Sequence, residues 1–287
     1  MSRRNNRKRE GVVGAILAFP DGILTLCCFA VPLVVIVLYS FWKIDLTTFT
    51  VTTDWNLGNY GDIFKSIYLQ ALLRSILITL ATVVGCLLLG LPIAYFIASC
   101  KGKLQLLMIG AIVIPFWTSF VVRTYAWLEL LGAHGVITQA LVHMHLVADG
   151  TDLRYSTTAV IIGMVYSYLP MMILPVYSTF EQLDQSLLEA AADLGKTPSQ
   201  AFFQIVMPSC GGGIVAGSLL VAIPALGEYT IPAILGGSKT LMIGNVIASE
   251  FQTTGNYPRG AALSSVLMVA VLLIIIGKQI MQWRKVR

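Results

Sequence analysis

The chain has 287 residues, 56% of them hydrophobic and only 11% charged, with 19 Lys and Arg against 14 Asp and Glu. A soluble domain carries about 25% charged residues, so too few are present to coat a water-facing globule of this size. That excludes a cytosolic enzyme, a nucleic-acid-binding domain and a disordered chain. A mean hydropathy of +0.80 agrees. At roughly 20 residues per spanning helix, the chain holds about six spans and no sizeable soluble domain besides.

Arg3, Arg4, Arg7, Lys8 and Arg9 precede an apolar run, as in a signal sequence. The run from Val12 to Trp42 is far longer than the roughly 7–15 residues of a signal core, and Leu26 is too bulky to precede a lipidated Cys27. The expectation is a retained first span over Gly22–Trp42, with Pro32 inside it and a short membrane-associated lead-in before it. Five further spans are predicted over Ser75–Ala98, Leu104–Leu131, Ala159–Phe180, Gly212–Leu235 and Gly260–Trp283. Each is a long apolar run, and none alternates in the manner of a barrel strand. The chain therefore reads as an all-α membrane protein with six transmembrane helices.

Basic residues favour the cytoplasmic side. With the N-terminus inside, twelve Lys and Arg fall in inside segments and six in outside loops, so both termini are expected in the cytoplasm. The five cysteines, Cys27, Cys28, Cys86, Cys100 and Cys210, lie in or beside apolar runs without CxxC pairs, as small buried hydrophobes do. His134, His143 and His145 share one outside loop and read as solvated. No metal site, bound cofactor or nucleic-acid partner is expected.

The inside loop 181–210 departs from the charge pattern, with Glu181, Asp184, Glu189 and Asp193 against Lys196 alone. Ala, Leu and Glu dominate 186–194 and favour helix. Leu187, Ala190, Ala191 and Leu194 share an apolar face, and Glu189 and Asp193 share another. Gly195 sits where a glycine ends a helix. Thr197, Pro198 and Gln200 suit the cap, first position and capping-box position of a second helix, running to about Val206 and stopped by Pro208. An acidic, structured loop of this kind suits a docking surface.

These residues carry a resemblance. Glu189-Ala190-Ala191, three residues, Gly195, nine residues and Ile205-Val206-Met207-Pro208 resemble the coupling loop of ABC-importer permeases, with Met207 in place of Leu. Ile114-Pro115-Phe116-Trp117-Thr118-Ser119, Val122-Arg123-Thr124-Tyr125-Ala126-Trp127, Pro224-Ala225-Leu226-Gly227-Glu228 and Met242-Ile243-Gly244-Asn245 resemble the spermidine/putrescine permeases of that class. The likeness runs from about Tyr39 to the C-terminus. It implies the type I ABC importer permease fold, with residues 1–70 as tail, first helix and first external loop, and 71–283 as the permease domain. It also implies that the coupling loop seats in a separate ABC ATPase dimer, which holds the ATP and Mg. There Glu189 would meet a basic group and Gly195 would permit the tight turn. Ala190, Ala191, Asp193, Ile205 and Pro208 complete the coupling set. The implied partners are a second permease, homologous or identical, an extracytoplasmic solute-binding protein and membrane lipid.

The chain itself has no credible phosphate loop. Gly195-Lys196-Thr197 has Ala190 where the first glycine should be, and Gly236-Gly237-Ser238-Lys239-Thr240 has Ser238 before its lysine. The protein is thus not expected to be an enzyme.

Ionisable groups within a membrane are functional candidates. Measured along unbroken helices, Arg123 falls roughly 29 Å and Glu228 roughly 24 Å from the inner ends of their spans. Glu129 lies further out. The polycationic solute implied by the resemblance would be drawn to Glu129 and Glu228, with Trp117, Tyr125, Trp127, Tyr166, Tyr168 and Tyr229 offering ring faces. The same rings suit an interfacial belt or core packing. Glu228 could instead pair with Arg123 or with a partner-chain cation, and Glu129 could simply be exposed at the rim. Gly213 and Gly217 form a GxxxG in the fifth span, which Pro224 and Pro232 interrupt. Either a moving pore-lining helix or close packing accounts for that composition. The alternatives to a polyamine permease are a permease of the same class for another small organic solute and a secondary transporter. The latter would need acidic residues at midspan, which are missing.

Overall fold

The computed structural model describes residues 23–45, 48, 50–184, 186–237 and 240–286. The basic N-terminal tail, Gly22 and the Ser238-Lys239 pair of the phosphate-loop lookalike lie outside the described residues. In chain order the elements are α1 (Ile23–Ser40), β1 (Lys43–Asp45), β2 (Thr50–Thr52), α2 (Gly58–Asp62), α3 (Ser66–Ser99) and α4 (Lys103–Val113). A 3-10 turn (Ile114–Trp117), α5 (Phe120–Leu130), α6 (Val136–His143), α7 (Thr157–Glu181) and α8 (Ser186–Asp193) follow. Then come α9 (Pro198–Ala201), a π-helical turn (Phe202–Val206), α10 (Met207–Ser209), α11 (Gly211–Leu226), α12 (Thr230–Leu235), α13 (Ile243–Gln252) and α14 (Tyr257–Val286). Among the described residues, four helices are long and apolar enough to cross a membrane: α1, α3, α7 and α14 up to Gly277. Two bent pairs raise the number to six if each makes one span.

The chain forms two compact units. One comprises the described residues up to Lys65 and those from Ile247 onward. Here β1 and β2 pair antiparallel, with Ile44 opposite Val51. The Asn59 side-chain amide closes the end of α1 by donating to the carbonyls of Ser40 (3.0 Å) and Trp42 (2.8 Å). Phe41 packs between Trp55 and Tyr60.

The second unit, Ser66–Val246, is centred on α7. Val160, Met164, Met172, Ile173 and Val176 of α7 are buried in one core with Ile78, Cys86, Ala94 and Ile97 of α3 and Val221 and Ala225 of α11. Glycine sets the closeness of α11 to α7. A Cβ on Gly217 would lie 2.9 Å from the Met172 sulfur, and one on Gly213 would lie 2.8 Å from the Pro175 carbonyl oxygen. The GxxxG is therefore a packing face. The start of α7 is capped by Ser156, whose hydroxyl accepts the Ala159 N–H at 3.1 Å.

The predicted fourth and sixth spans emerge as continuous helices. The second begins nine residues early, so Arg74, expected in an outside loop, lies within α3. The third and fifth are broken. The α4 and 3-10 segment meets α5 at 96°. Pro115 supplies no N–H to continue the helix, Thr118 is extended (ψ 155°) with its hydroxyl on the Pro115 carbonyl at 2.6 Å, and α5 restarts after Ser119. In the fifth, α11 ends at Leu226 and α12 restarts at Thr230, and a 66° bend precedes α11. The straight-helix depth expected for Arg123 therefore does not hold, whereas Glu228 lies two residues past the end of α11, which is unbroken over Gly211–Leu226. Pro208 does not stop the helix either. The helix runs through Pro208 to Ser209, and Cys210 (φ −90°, ψ 7°) then leaves it at the 66° bend before α11.

Candidate functional site

The 181–210 segment is built by local rules. The Asp184 carboxylate accepts the Ser186 N–H at 3.0 Å, and that bond holds its carboxyl below the usual range. At the other end of α8, Gly195 takes φ +75°. Its N–H reaches the Ala192 carbonyl at 2.9 Å while the Lys196 N–H reaches the Ala191 carbonyl at 3.0 Å. These two bonds make a Schellman motif, and the positive φ favours glycine there. The capping box follows: the Gln200 N–H donates to the Thr197 hydroxyl (3.4 Å) and the Thr197 N–H to the Gln200 side chain (3.0 Å). Lys196, in the turn after α8, donates to the Gln204 side chain of the π turn at 2.7 Å.

This segment offers a surface and hides an anchor. Glu189, Ala190, Asp193, Leu194 and Pro208 are exposed, Ile205 is half-buried, and Ala191 alone of the predicted apolar face is buried. Leu194 is 80% and Phe203 66% exposed, a large apolar presence beside two carboxylates. On the opposite side Val206 and Cys210 are fully buried, and Phe202 packs against the same core. The Phe202 ring meets Tyr95 of α3 edge-on at 5.1 Å, and Tyr95 meets Phe180 of α7 at 5.6 Å. Sequence reasoning missed this triad. Its only sequence trace is the i, i+4, i+8 spacing of Phe202, Val206 and Cys210.

The residues expected to line a solute path fall into separate groups. Arg123 stacks over Phe116 at 4.4 Å, while Tyr166 meets Trp127 at 5.3 Å and Phe116 at 6.3 Å. Arg123 makes no ion pair with Glu228 among the described residues. Two of its guanidinium nitrogens are buried without a hydrogen-bond partner. Glu228 is closed by other donors: the Tyr168 hydroxyl at 2.5 Å, the Thr230 N–H at 2.8 Å and the Ile231 N–H at 3.3 Å. It thus caps α12 and ties it to α7. Trp117, Tyr125, Glu129 and Tyr229 are exposed, and the Tyr229 carbonyl accepts from Asn245 at 2.8 Å.

In the other unit, Arg259 bridges two acids, Asp62 at 3.1 Å and Glu250 at 3.9 Å, and Lys65 adds a pair to Asp62 at 2.7 Å. The Lys65 hydrogen bond, helped by the charges of Lys65 and Arg259, holds the Asp62 carboxyl below its ordinary value against a weaker effect of burial. Glu250, which sequence reasoning passed over, is buried and accepts the Thr254 hydroxyl at 2.7 Å.

Residues 90–283 match the family model of the binding-protein-dependent transport system inner membrane component. The chain belongs to this family. It is 40% identical over 219 residues to the spermidine/putrescine transport system permease protein PotB of Haemophilus influenzae, covering 76% of this chain and 77% of that one. It is 36% identical to PotB of Salmonella typhimurium over 99% of this chain and 96% of that one. Among solved structures it resembles the bacterial alginate ABC transporter in complex with alginate pentasaccharide-bound periplasmic protein, with TM-score 0.67 at 18% identity over 98% and 96% of the chains. Membership makes the chain a transport component of the inner membrane, not an enzyme. The matched residues include the whole 181–210 segment, the Phe116–Arg123 stack and the Glu228 closure. They exclude α1, the hairpin and α2.

Proposed function

We propose that this inner membrane component is the permease subunit of an ATP-driven importer for polyamines, spermidine and putrescine among them. The likeness to PotB proteins over most of the chain carries the substrate class. In this reading α4 with α5 makes one span and α11 with α12 another, giving six with both termini in the cytoplasm. Residues 71–283 form the permease domain, and 1–70 supply the tail, first helix and first external loop. A solute-binding protein delivers the solute to the outer loops. A second permease, homologous or identical, completes the path. A separate ATPase dimer holds ATP and Mg.

The exposed face of the 181–210 segment supports the coupling role. Glu189 and Asp193 offer charge to a basic groove and Leu194 offers apolar area, while Ala190, Ala191, Gly195, Ile205 and Pro208 give the segment its shape. Glu228 and Glu129 would attract the cation, with Trp117, Tyr125, Trp127, Tyr166 and Tyr229 offering rings and Arg123 setting the field. The test is reconstitution with the ATPase subunits and the binding protein, followed by uptake of labelled spermidine and putrescine. Uptake that requires ATP is the expected result. Uptake that persists without ATP would sink the importer reading. ATP-dependent uptake of another solute, with neither polyamine accepted or bound, would remove the substrate.

A further inference from the structure

We infer that Phe202 and Tyr95 are positioning residues that carry motion of the 181–210 segment into the spans, an inference that rests on the coupling role proposed above. Four rings run in contact from exposed Phe203 to buried Phe180, with Tyr95 between them 38% exposed. Phe203, 66% exposed, meets Phe202 at 5.3 Å and 86°, Phe202 meets Tyr95 at 5.1 Å and 76°, and Tyr95 meets Phe180 at 5.6 Å and 81°. Three separate segments supply them: the π turn, α3 and α7. Phe180 is 6% exposed and belongs to the core shared by α3, α7 and α11. Edge-to-face rings prefer defined angles, and at Phe180 they enter a close-packed core, which transmits displacement rather than absorbing it.

The local chain explains why Phe202 can do this and its neighbour cannot. Adjacent helical residues do not share a face, so Phe202 turns to the bundle while Phe203 turns to the partner side. The π turn, closed by the Met207 N–H on the Phe202 carbonyl, begins at Phe202 itself. Such turns re-aim side chains at functional sites. The capping box and Schellman motif make the segment stiff, so a push on α8 or Phe203 reaches Phe202 with little loss. Truncating Phe202 leaves a void into which the segment can shift without moving α3 or α7.

Spatial intermediacy alone does not establish coupling, so the test reads the ratio of two activities. The complex of permease, ATPase and binding protein is reconstituted, and ATP hydrolysis and labelled spermidine uptake are measured together. Phe202→Ala and Tyr95→Leu are expected to keep ATP turnover while uptake drops by about five- to ten-fold, raising the ATP consumed per solute. Tyr95→Phe should restore the ratio. Phe203→Ala should lower both activities in proportion through weaker ATPase association. If Phe202→Ala does not assemble, Tyr95→Leu, on a partly exposed helix position, carries the test. An unchanged ratio in the assembled variants, with only the melting temperature lowered, overturns the relay. A wild-type assembly that shows no ATP-dependent uptake of any solute overturns the coupling reading and the relay with it.

Discussion

The two acidic regions of the protein treat their charge in opposite ways. On α8, Glu189 and Asp193 stand exposed, without an ion pair among the described residues, beside exposed Leu187 and Leu194. Between α11 and α12, Glu228 is enclosed by one hydroxyl and two backbone N–H groups. An open carboxylate beside apolar surface is suited to a partner that brings its own cation. A closed one has three of its roughly four acceptor positions already taken, so an incoming cation competes with donors already in place. Both lie within a few residues of a glycine, Gly195 and Gly227, yet Gly195 ends α8 while Gly227 begins the break between α11 and α12. Under the proposed function, this contrast would separate a standing docking face from a carboxylate that also holds the fold together.

The largest effects are expected on the open face. Glu189→Lys and Gly195→Pro should each reduce ATP-dependent uptake to background while membrane insertion stays normal. Lysine reverses the charge, and proline cannot adopt φ +75°. Normal transport in both would dissolve the contrast. Next comes Glu228→Ala, which removes a carboxylate holding three donors. Spermidine uptake should fall roughly ten- to a hundred-fold, the range set by one or two charge-assisted bonds. An equal loss with an uncharged solute would show a purely structural capping role.

Tyr168→Phe sharpens the same point with a smaller change. If the hydroxyl competes with solute ammonium for Glu228, its removal should lower the KM for spermidine by about two- to five-fold, the worth of one hydrogen bond. A lower melting temperature with unchanged KM would assign the bond to packing alone. Smallest is Asp62→Asn, a closed carboxylate on a partly exposed pair. It should cost only a few tenths of a kcal/mol, measured by thermal unfolding in detergent. Its folded-state carboxyl titrates below the usual 3.8, so its contribution is complete above that value and is lost as the pH falls through the lower folded value. The difference between wild type and Asp62→Asn should therefore be flat around neutral pH and shrink in acid.

The first part of the 181–210 segment, up to Gln200, was legible almost residue by residue. Its caps, its glycine turn and its capping box each involve groups within five positions of one another, and local chemistry at that range depends little on the rest of the chain. Its continuation was not: the π turn and the helical turn past Pro208 arise because Phe202, Val206 and Cys210 seek one core. The third and fifth spans show the same division. Pro115, Pro224 and Pro232 were visible, but proline sits inside the unbroken α7 at Pro170 and Pro175 as well. Proline by itself does not say which helix breaks, since neighbours that pack against the freed backbone decide it.

Composition alone placed this chain in lipid, because 33 charged residues cannot cover a soluble surface for 287. The order of residues alone marked the apolar runs, the acidic loop and its turn, because hydropathy and capping act over one or a few helical turns. Only the tertiary structure decided which donors Glu228 takes and that Arg123 rests on Phe116. It also decided that Phe202 reaches Tyr95 and Phe180. Tyr168 and Glu228 are sixty positions apart, and Phe202 is more than a hundred from Tyr95. Pairings at that distance depend on how α3, α7 and α11 close against one another through Gly213 and Gly217, a fit of volumes that no local pattern contains.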